Sequence, residues 1–372
     1  GTLSASGNVS FDGGSIKLDG NYPTGDFNVA LGDGAFDAVT SGSNNVAIGA
    51  VALTDSTSAS QNTAIGSFAG TNLTTGGLNV AVGQNSLFTA TTGVQNSAIG
   101  TLAGDAITTG SYNNLVGTNA GGAITTANGN TAMGHTALNN TTTGVNSSFG
   151  YEAGYYITTG TSNTALGYQA LKGTTDTTAD NNTAVGHVAL AANTTGAENT
   201  AVGMQSLDAN TTGGSNTGIG VNTLTSNSTG SYNAAVGRDA LQNNTTASNN
   251  VAVGYSALPA NTTGTQNVAV GDISLYANTT ASYNTAVGRA ALYTNTTGAT
   301  NTAVGRNSLA GNTTGDNNTG VGASSLEANT TADDNTAVGF AALNQNTTGT
   351  ENVAVGKGSL DAATTGNYNT GI

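Results

Sequence analysis

Few residues in this sequence could do chemistry. Its two histidines, His135 and His187, are far apart, and there is no cysteine. A nucleophilic triad needs a base beside a nucleophile and an orienting acid. Two isolated imidazoles supply neither that nor a metal site unaided, so both read as exposed variable residues. Calcium repeats of the Gly-Gly-x-Gly-x-Asp type are absent, and the acidic residues keep no fixed register. No Gly-Lys-Ser/Thr follows the glycine-rich stretches, so no phosphate loop is expected. Without paired carboxylates or a base beside a nucleophile, the chain is not expected to be an enzyme or to hold a cofactor or metal.

One group of residues has chemical content of another kind. Tyr151, Tyr168, His187, Arg238, Tyr255, Arg289, Arg306, Phe340 and Lys357 share a single register position and include four of the six basic residues. Aromatic and cationic groups in one line could contact sugars or a partner chain, or could form a plain solvated edge. Both readings stay open on the sequence.

That shared position exists because the chain is periodic. An asparagine returns from Asn28 to Asn369 at twenty-one anchors. Eighteen of the twenty intervals are seventeen residues; Asn130 to Asn146 spans sixteen and Asn163 to Asn182 nineteen. So short a fixed period means a solenoid, in which each repeat buries its apolar face only against its neighbours. Charged residues are only 7% of the chain and Gly is 55 of 372, a composition that alone would suit disorder. The regular return of Val, Ile and Leu argues against disorder, since a disordered tract has no reason to keep register.

Counted from its asparagine, the repeat reads Asn-(Thr/Val)-Ala-(Val/Ile)-Gly over positions one to five, as in Asn301-Thr302-Ala303-Val304-Gly305. Position eight is small and position nine usually Leu, as in Ser308-Leu309; Asn-Thr-Thr-Gly then fills positions twelve to fifteen. Alternating β-favouring residues predict a strand at the first run and a second short strand near positions seven to ten. Asn-Thr-Thr-Gly is turn chemistry. Gly, Asn, Thr and β-branched residues are poor helix formers, so the fold class is all-β: a parallel β-roll of about twenty coils. At about 4.8 Å per coil the array would extend on the order of 100 Å.

Four repeats test this reading. Position nine is Gly at Gly70, Gly104, Gly121 and Gly154, and in those coils position twelve becomes Leu73, Ile107, Ile124 and Ile157. One large side chain per coil is kept while its attachment point moves, as a packed interior requires, because a leucine-sized hole costs roughly 2–5 kcal/mol. The position-one asparagine is read as a stacked amide ladder. Val and Leu of each coil are expected to be buried, and the small residues at positions three and eight to admit a neighbouring chain. Self-association, as a trimer, is the expectation that follows.

Asn-Thr-Thr at Asn140, Asn193, Asn210, Asn244, Asn261, Asn278, Asn295, Asn312, Asn329 and Asn346 is formally a glycosylation sequon. Spacing at the coil period makes turn formation the simpler explanation. The adjacent threonines do not alternate along a strand as an ice-binding face would need. Net charge is −14, which leaves no basic stripe to neutralise phosphates, so nucleic acid is not an expected partner. No apolar run reaches eighteen residues, so no span of a membrane is expected in this segment, and no signal-peptide pattern opens the chain. Residues 1–27 break the period and read as a cap or junction, with 28–372 as the repeat array. The start at Gly1 and the stop within a repeat read as a piece of a longer polypeptide.

Asn-x-Ala-(Val/Ile)-Gly followed by a small residue and a turn resembles the head repeat of YadA-type trimeric adhesins. The resemblance implies a left-handed parallel β-roll, three chains side by side, and binding to host surfaces. The family repeat is nearer fourteen residues, so the added Leu and Asn-Thr-Thr-Gly depart from it. The longer form, led by Gly20-Asn21-Tyr22-Pro23-Thr24-Gly25, is similar to repeats in virion structural and tail-fibre proteins of aquatic bacteriophages. The expected role is a non-enzymatic fibre, shaft or head of an extracellular, virion-surface appendage. The alternatives are a bacterial surface adhesin touching host glycan or protein, and an extracellular fibril or ice-binding solenoid.

Overall fold

The computed structural model describes residues 27–372, which form an all-β parallel solenoid of about twenty turns with no helix. The expected N-terminal cap, apart from Phe27, lies outside the described residues. Two compact units divide the chain after Asn181. The first holds nine strands, β1 (Val29–Leu31) to β9 (Asn163–Leu166). The second holds twelve, β10 (Thr183–Val185) to β21 (Thr370–Gly371). Within each unit consecutive strands pair in parallel and position by position, as in Thr302↔Thr319, Ala303↔Gly320 and Val304↔Val321.

Each coil has one strand, not the two expected. Positions six to ten form a compact turn instead, because the backbone enters the left-handed region there: Asn307 has φ 58° and Leu309 φ 50°. A non-glycine residue in that region costs roughly 1–2 kcal/mol. Leucine accepts the cost because this conformation aims its side chain inward, where Leu309 is fully buried. Glycine at position five has a different reason. At Gly305 (φ +134°) a Cβ would stand 2.5 Å from the Gly322 carbonyl oxygen of the next coil, closer than any side chain tolerates.

The interior is narrow. Positions one, three, eight, nine, twelve and fifteen face it, as Asn301, Ala303, Ser308, Leu309, Asn312 and Gly315 show, while Val304 is exposed. This corrects two expectations. The position-four aliphatics point outward, and the small residues at three and eight admit no neighbouring chain; they are small because the coil has no room for more.

The compensation between positions nine and twelve is borne out geometrically. Where position nine is Gly104, its missing Cβ would lie 3.0 Å from Ile107 Cδ1; at Gly70 the corresponding atom is Leu73 Cδ1, also at 3.0 Å. Leu73, Ile107, Ile124 and Ile157 are fully buried. Two further exchanges were hidden from the sequence. Leu115, the one large residue at an otherwise small position three, reaches into the space left by Gly104 and Gly121, 2.7 and 2.8 Å from their absent Cβ atoms. Where position three is Gly218, Ser206 and Thr223 supply hydroxyls 2.7 Å apart beside it.

The position-one amide ladder is present as expected. Asn62 donates from its backbone N–H (2.9 Å) and from Nδ2 (3.2 Å) to Asn45 Oδ1, and its Nδ2 also donates to the Gly76 carbonyl at 3.0 Å. In the second unit Asn216 repeats the pattern on Asn199 Oδ1 and the Gly230 carbonyl. The threonine hydroxyls at position thirteen bond the next coil rather than their own turn: Thr194 Oγ1 donates to the Thr211 carbonyl at 2.9 Å.

A second ladder runs through the second unit. The sequon asparagines from Asn193 to Asn346 are fully buried. Asn227 Nδ2 donates to Asn210 Oδ1 (2.8 Å), and Asn244 Nδ2 to Asn227 Oδ1 (2.9 Å). Each also closes its own turn, as Asn227 Nδ2 does on the Gly230 carbonyl at 2.9 Å. Turn formation is what these residues do, with each side-chain amide committed to its own turn and to the ladder. Asn140, at position eleven of a first-unit coil, is half-buried and stands outside this ladder.

Candidate functional surface

Strand residues at positions two and four alternate outward around a buried position three. Across the second unit position two is Thr, Val or Ala, and position four from Val185 to Val355 is Val, with Ile219 the one exception. None carries a charge, in a chain whose net charge is −14. Ile219, Val253, Val338 and Val355 are 38–41% exposed. Seven of the eleven position-four side chains are exposed and Val185, Val202, Val270 and Val287 are half-buried, which leaves on the order of 500 Å² of apolar surface, within the range for the largest patch on a soluble monomer. In the first unit the same position runs through Ile65, Ile99, Met133, Phe149 and Leu166, again with no charge.

The sequence held a signal for this face. Position three is nearly always Ala, whereas position four ranges from Val to Met133 and Phe149. A confined interior fixes side-chain volume, so the position that varies in size is the one outside.

Position six lies beyond the strand on the exposed turn, and it forms separate clusters rather than one continuous site. In the first unit His135, Tyr151 and Tyr168 stack, with centroids 5.4 and 5.3 Å apart and planes within 8° of parallel. Tyr151 and Tyr168 are 43% and 46% exposed. A hydrogen bond to Glu152, and then its negative charge, push the Tyr151 phenol up. Glu152 is held below its usual range chiefly by Lys172, whose Nζ lies 2.7 Å away, and it also accepts from Gln169 at 2.8 Å.

In the second unit His187, Arg238, Tyr255, Arg289, Arg306, Phe340 and Lys357 are all exposed. Arg238 pairs with Asp239 and Arg289 with Asp272, both at 3.2 Å, and Lys357 lies 5.9 Å over the Phe340 ring. The carboxylates partly neutralise Arg238 and Arg289. Among the described residues no group of three acidic or histidine side chains could hold a metal ion, and no helix is long and apolar enough to cross a membrane.

The fold defines a class, the parallel β-solenoid repeat proteins. Comparison with protein-family models and with curated proteins returned no match. The likeness to trimeric adhesin heads therefore rests on the repeat residues themselves.

Proposed function

We propose that this chain is a non-enzymatic structural module of an extracellular appendage, a phage tail fibre or related virion fibre, whose copies associate side by side as a trimer. The observation that carries the reading is the uncharged strand face, aliphatic at position four and Thr, Val or Ala at position two. An exposed apolar surface of this size suits contact with a partner. A second copy is the fitting occupant, because only a partner with the same coil rise can match every repeat. Its mate would bury the valines, and the net negative charge of the chain would remain on the other faces.

Light scattering of the soluble chain across a concentration series tests association. A mass three times that of one chain is expected, and Val236→Asp, Val253→Asp and Val270→Asp together are expected to give monomers. A wild-type chain that stays monomeric at all concentrations overturns the reading. The second reading, a cell-surface adhesin, is favoured by the exposed Tyr255, Arg289 and Arg306, which suit contact with host glycan or protein. Immunogold labelling separates the two: gold on phage particles supports the virion fibre, and gold on cells supports the adhesin.

A further inference from the structure

Two pairs of tyrosines stack across consecutive coils. Tyr151 and Tyr168, both at position six, have centroids 5.3 Å apart and planes 8° from parallel. Tyr276 and Tyr293, both at position ten, stack at 5.2 Å and 19°. Tyr276 is 41% exposed, and Tyr293 is half-buried. The rings are thus open to a small oxidant at their edges while each keeps its partner in contact.

We propose that these pairs are sites of oxidative cross-linking, acted on by a one-electron oxidant such as a haem peroxidase with hydrogen peroxide. Each phenol loses one electron and one proton to give a phenoxyl radical. The two radicals join through the carbons ortho to their oxygens, and each ortho hydrogen moves to its oxygen as the rings regain aromaticity. Two C–H bonds are lost, one C–C bond forms, and one hydrogen peroxide is reduced to two waters. The product is a covalent staple between neighbouring coils. Closing a loop of one coil length restricts the unfolded chain, as a disulfide does.

Parallel stacking between coils rather than exposure selects the pairs. Tyr155 and Tyr156, neighbours in one coil, have centroids 4.6 Å apart but planes crossed at 81°, which holds their ortho carbons edge to face. Tyr232 and Tyr283 are more exposed, at 66% and 59%. Their register neighbours one coil away are Ser215 and Asn249, and Gln266 and Thr300. A radical there must wait for a second molecule, whereas in a stacked pair the partner is already held beside it.

The test treats the full chain, dilute, with peroxidase and hydrogen peroxide, followed by trypsin and mass spectrometry. Tyr276 falls in the peptide ending at Arg289, and Tyr293 in the peptide Ala290–Arg306. The two are expected as a joined species lacking two hydrogen atoms, at about tenfold or more the yield of any link through Tyr232 or Tyr283. Tyr276→Phe and Tyr293→Phe should each abolish it, and Tyr283→Phe should leave it intact. Tyr168→Phe should remove the two-hydrogen loss assigned to the other pair. Links that follow exposure, or that join different chains, overturn the proposal. So does a joined species that survives Tyr276→Phe.

Discussion

The two units solve the same packing problem by different means. Before Asn181 position twelve is filled case by case, with Val39, Ser56, Leu73, Ala90, Ile107, Ile124, Thr141 and Ile157. From Asn193 to Asn346 it is asparagine in ten consecutive coils. Apolar filling is non-directional, so each coil can adjust to its neighbours independently. An amide ladder is directional and works only if every rung is present, since one omission leaves an acceptor below and a donor above without partners. The difference shows in the periodicity. The sixteen- and nineteen-residue intervals both fall before Asn182, and from Asn182 to Asn369 the period never leaves seventeen.

Breaking a rung should therefore cost most. Asn261→Leu keeps the volume but strands Asn244 Oδ1 and one Asn278 Nδ2 proton, which now bond Asn261 at 2.9 and 3.1 Å. A loss of about 2–5 kcal/mol is expected in urea unfolding. Thr141→Val in the first unit, where position twelve forms no ladder, should cost about half as much or less. Equal losses would show that the ladder is not cooperative.

Moving the large side chain between positions nine and twelve probes the same contrast. Leu53→Gly should cost about 2–4 kcal/mol, and Ser56→Leu added to it should restore most of that. The double change also removes Ser56 Oγ, a buried hydroxyl with no hydrogen-bond partner. In the second unit Leu309→Gly with Asn312→Ile should not recover, because the rung at Asn312 is lost. Thermal melts of Leu53→Gly, of Leu309→Gly and of the two double variants decide it.

The ladder also ends in a testable way. Asn346 Oδ1 is buried without a partner, and the next position twelve is Ala363. Ala363→Asn should supply the missing donor and stabilise the chain by about 1 kcal/mol, read as a raised unfolding midpoint.

The smallest effects are electrostatic, and two carboxylates, one in each unit, carry opposite signs. In the first, Lys172 lowers the Glu152 carboxyl. That pair stabilises above the unfolded carboxylate pKa and is lost as pH falls through the lower folded value. Glu152→Gln should cost about 0.5 kcal/mol at neutral pH, and nothing in acid. In the second, burial raises Asp208, whose Oδ1 is buried without a hydrogen-bond partner. Its ionisation is a penalty present above the folded pKa and removed as pH falls below the unfolded one. Asp208→Asn should stabilise at neutral pH, with the gain vanishing in acid. Melting midpoints measured across the acid range would expose either sign error.

Much of the candidate surface was legible only in part. Tyr151 and Tyr168 could be placed in one column from spacing alone, because parallel in-register coils bring residues one period apart together. Tyr276 and Tyr293 obey the same rule at position ten and went unread there because no other aromatic fills that column in the second unit. The outward valines were misread because a period-two strand pattern says that alternate residues share a side, not which side is the core.

The sequence by itself determined the coil, its length, the position-one ladder and the exchange of Leu for Gly with an aliphatic three residues on. Each is written many times over, and any packed stack must honour it. Only the tertiary structure decided that Leu309 sits in a left-handed turn, that Val304 faces out while Ala303 faces in, and that Asn312 is a buried rung. Those outcomes depend on the width of the closed coil. That width is set by all seventeen residues folding back on one another and by no local pattern among them.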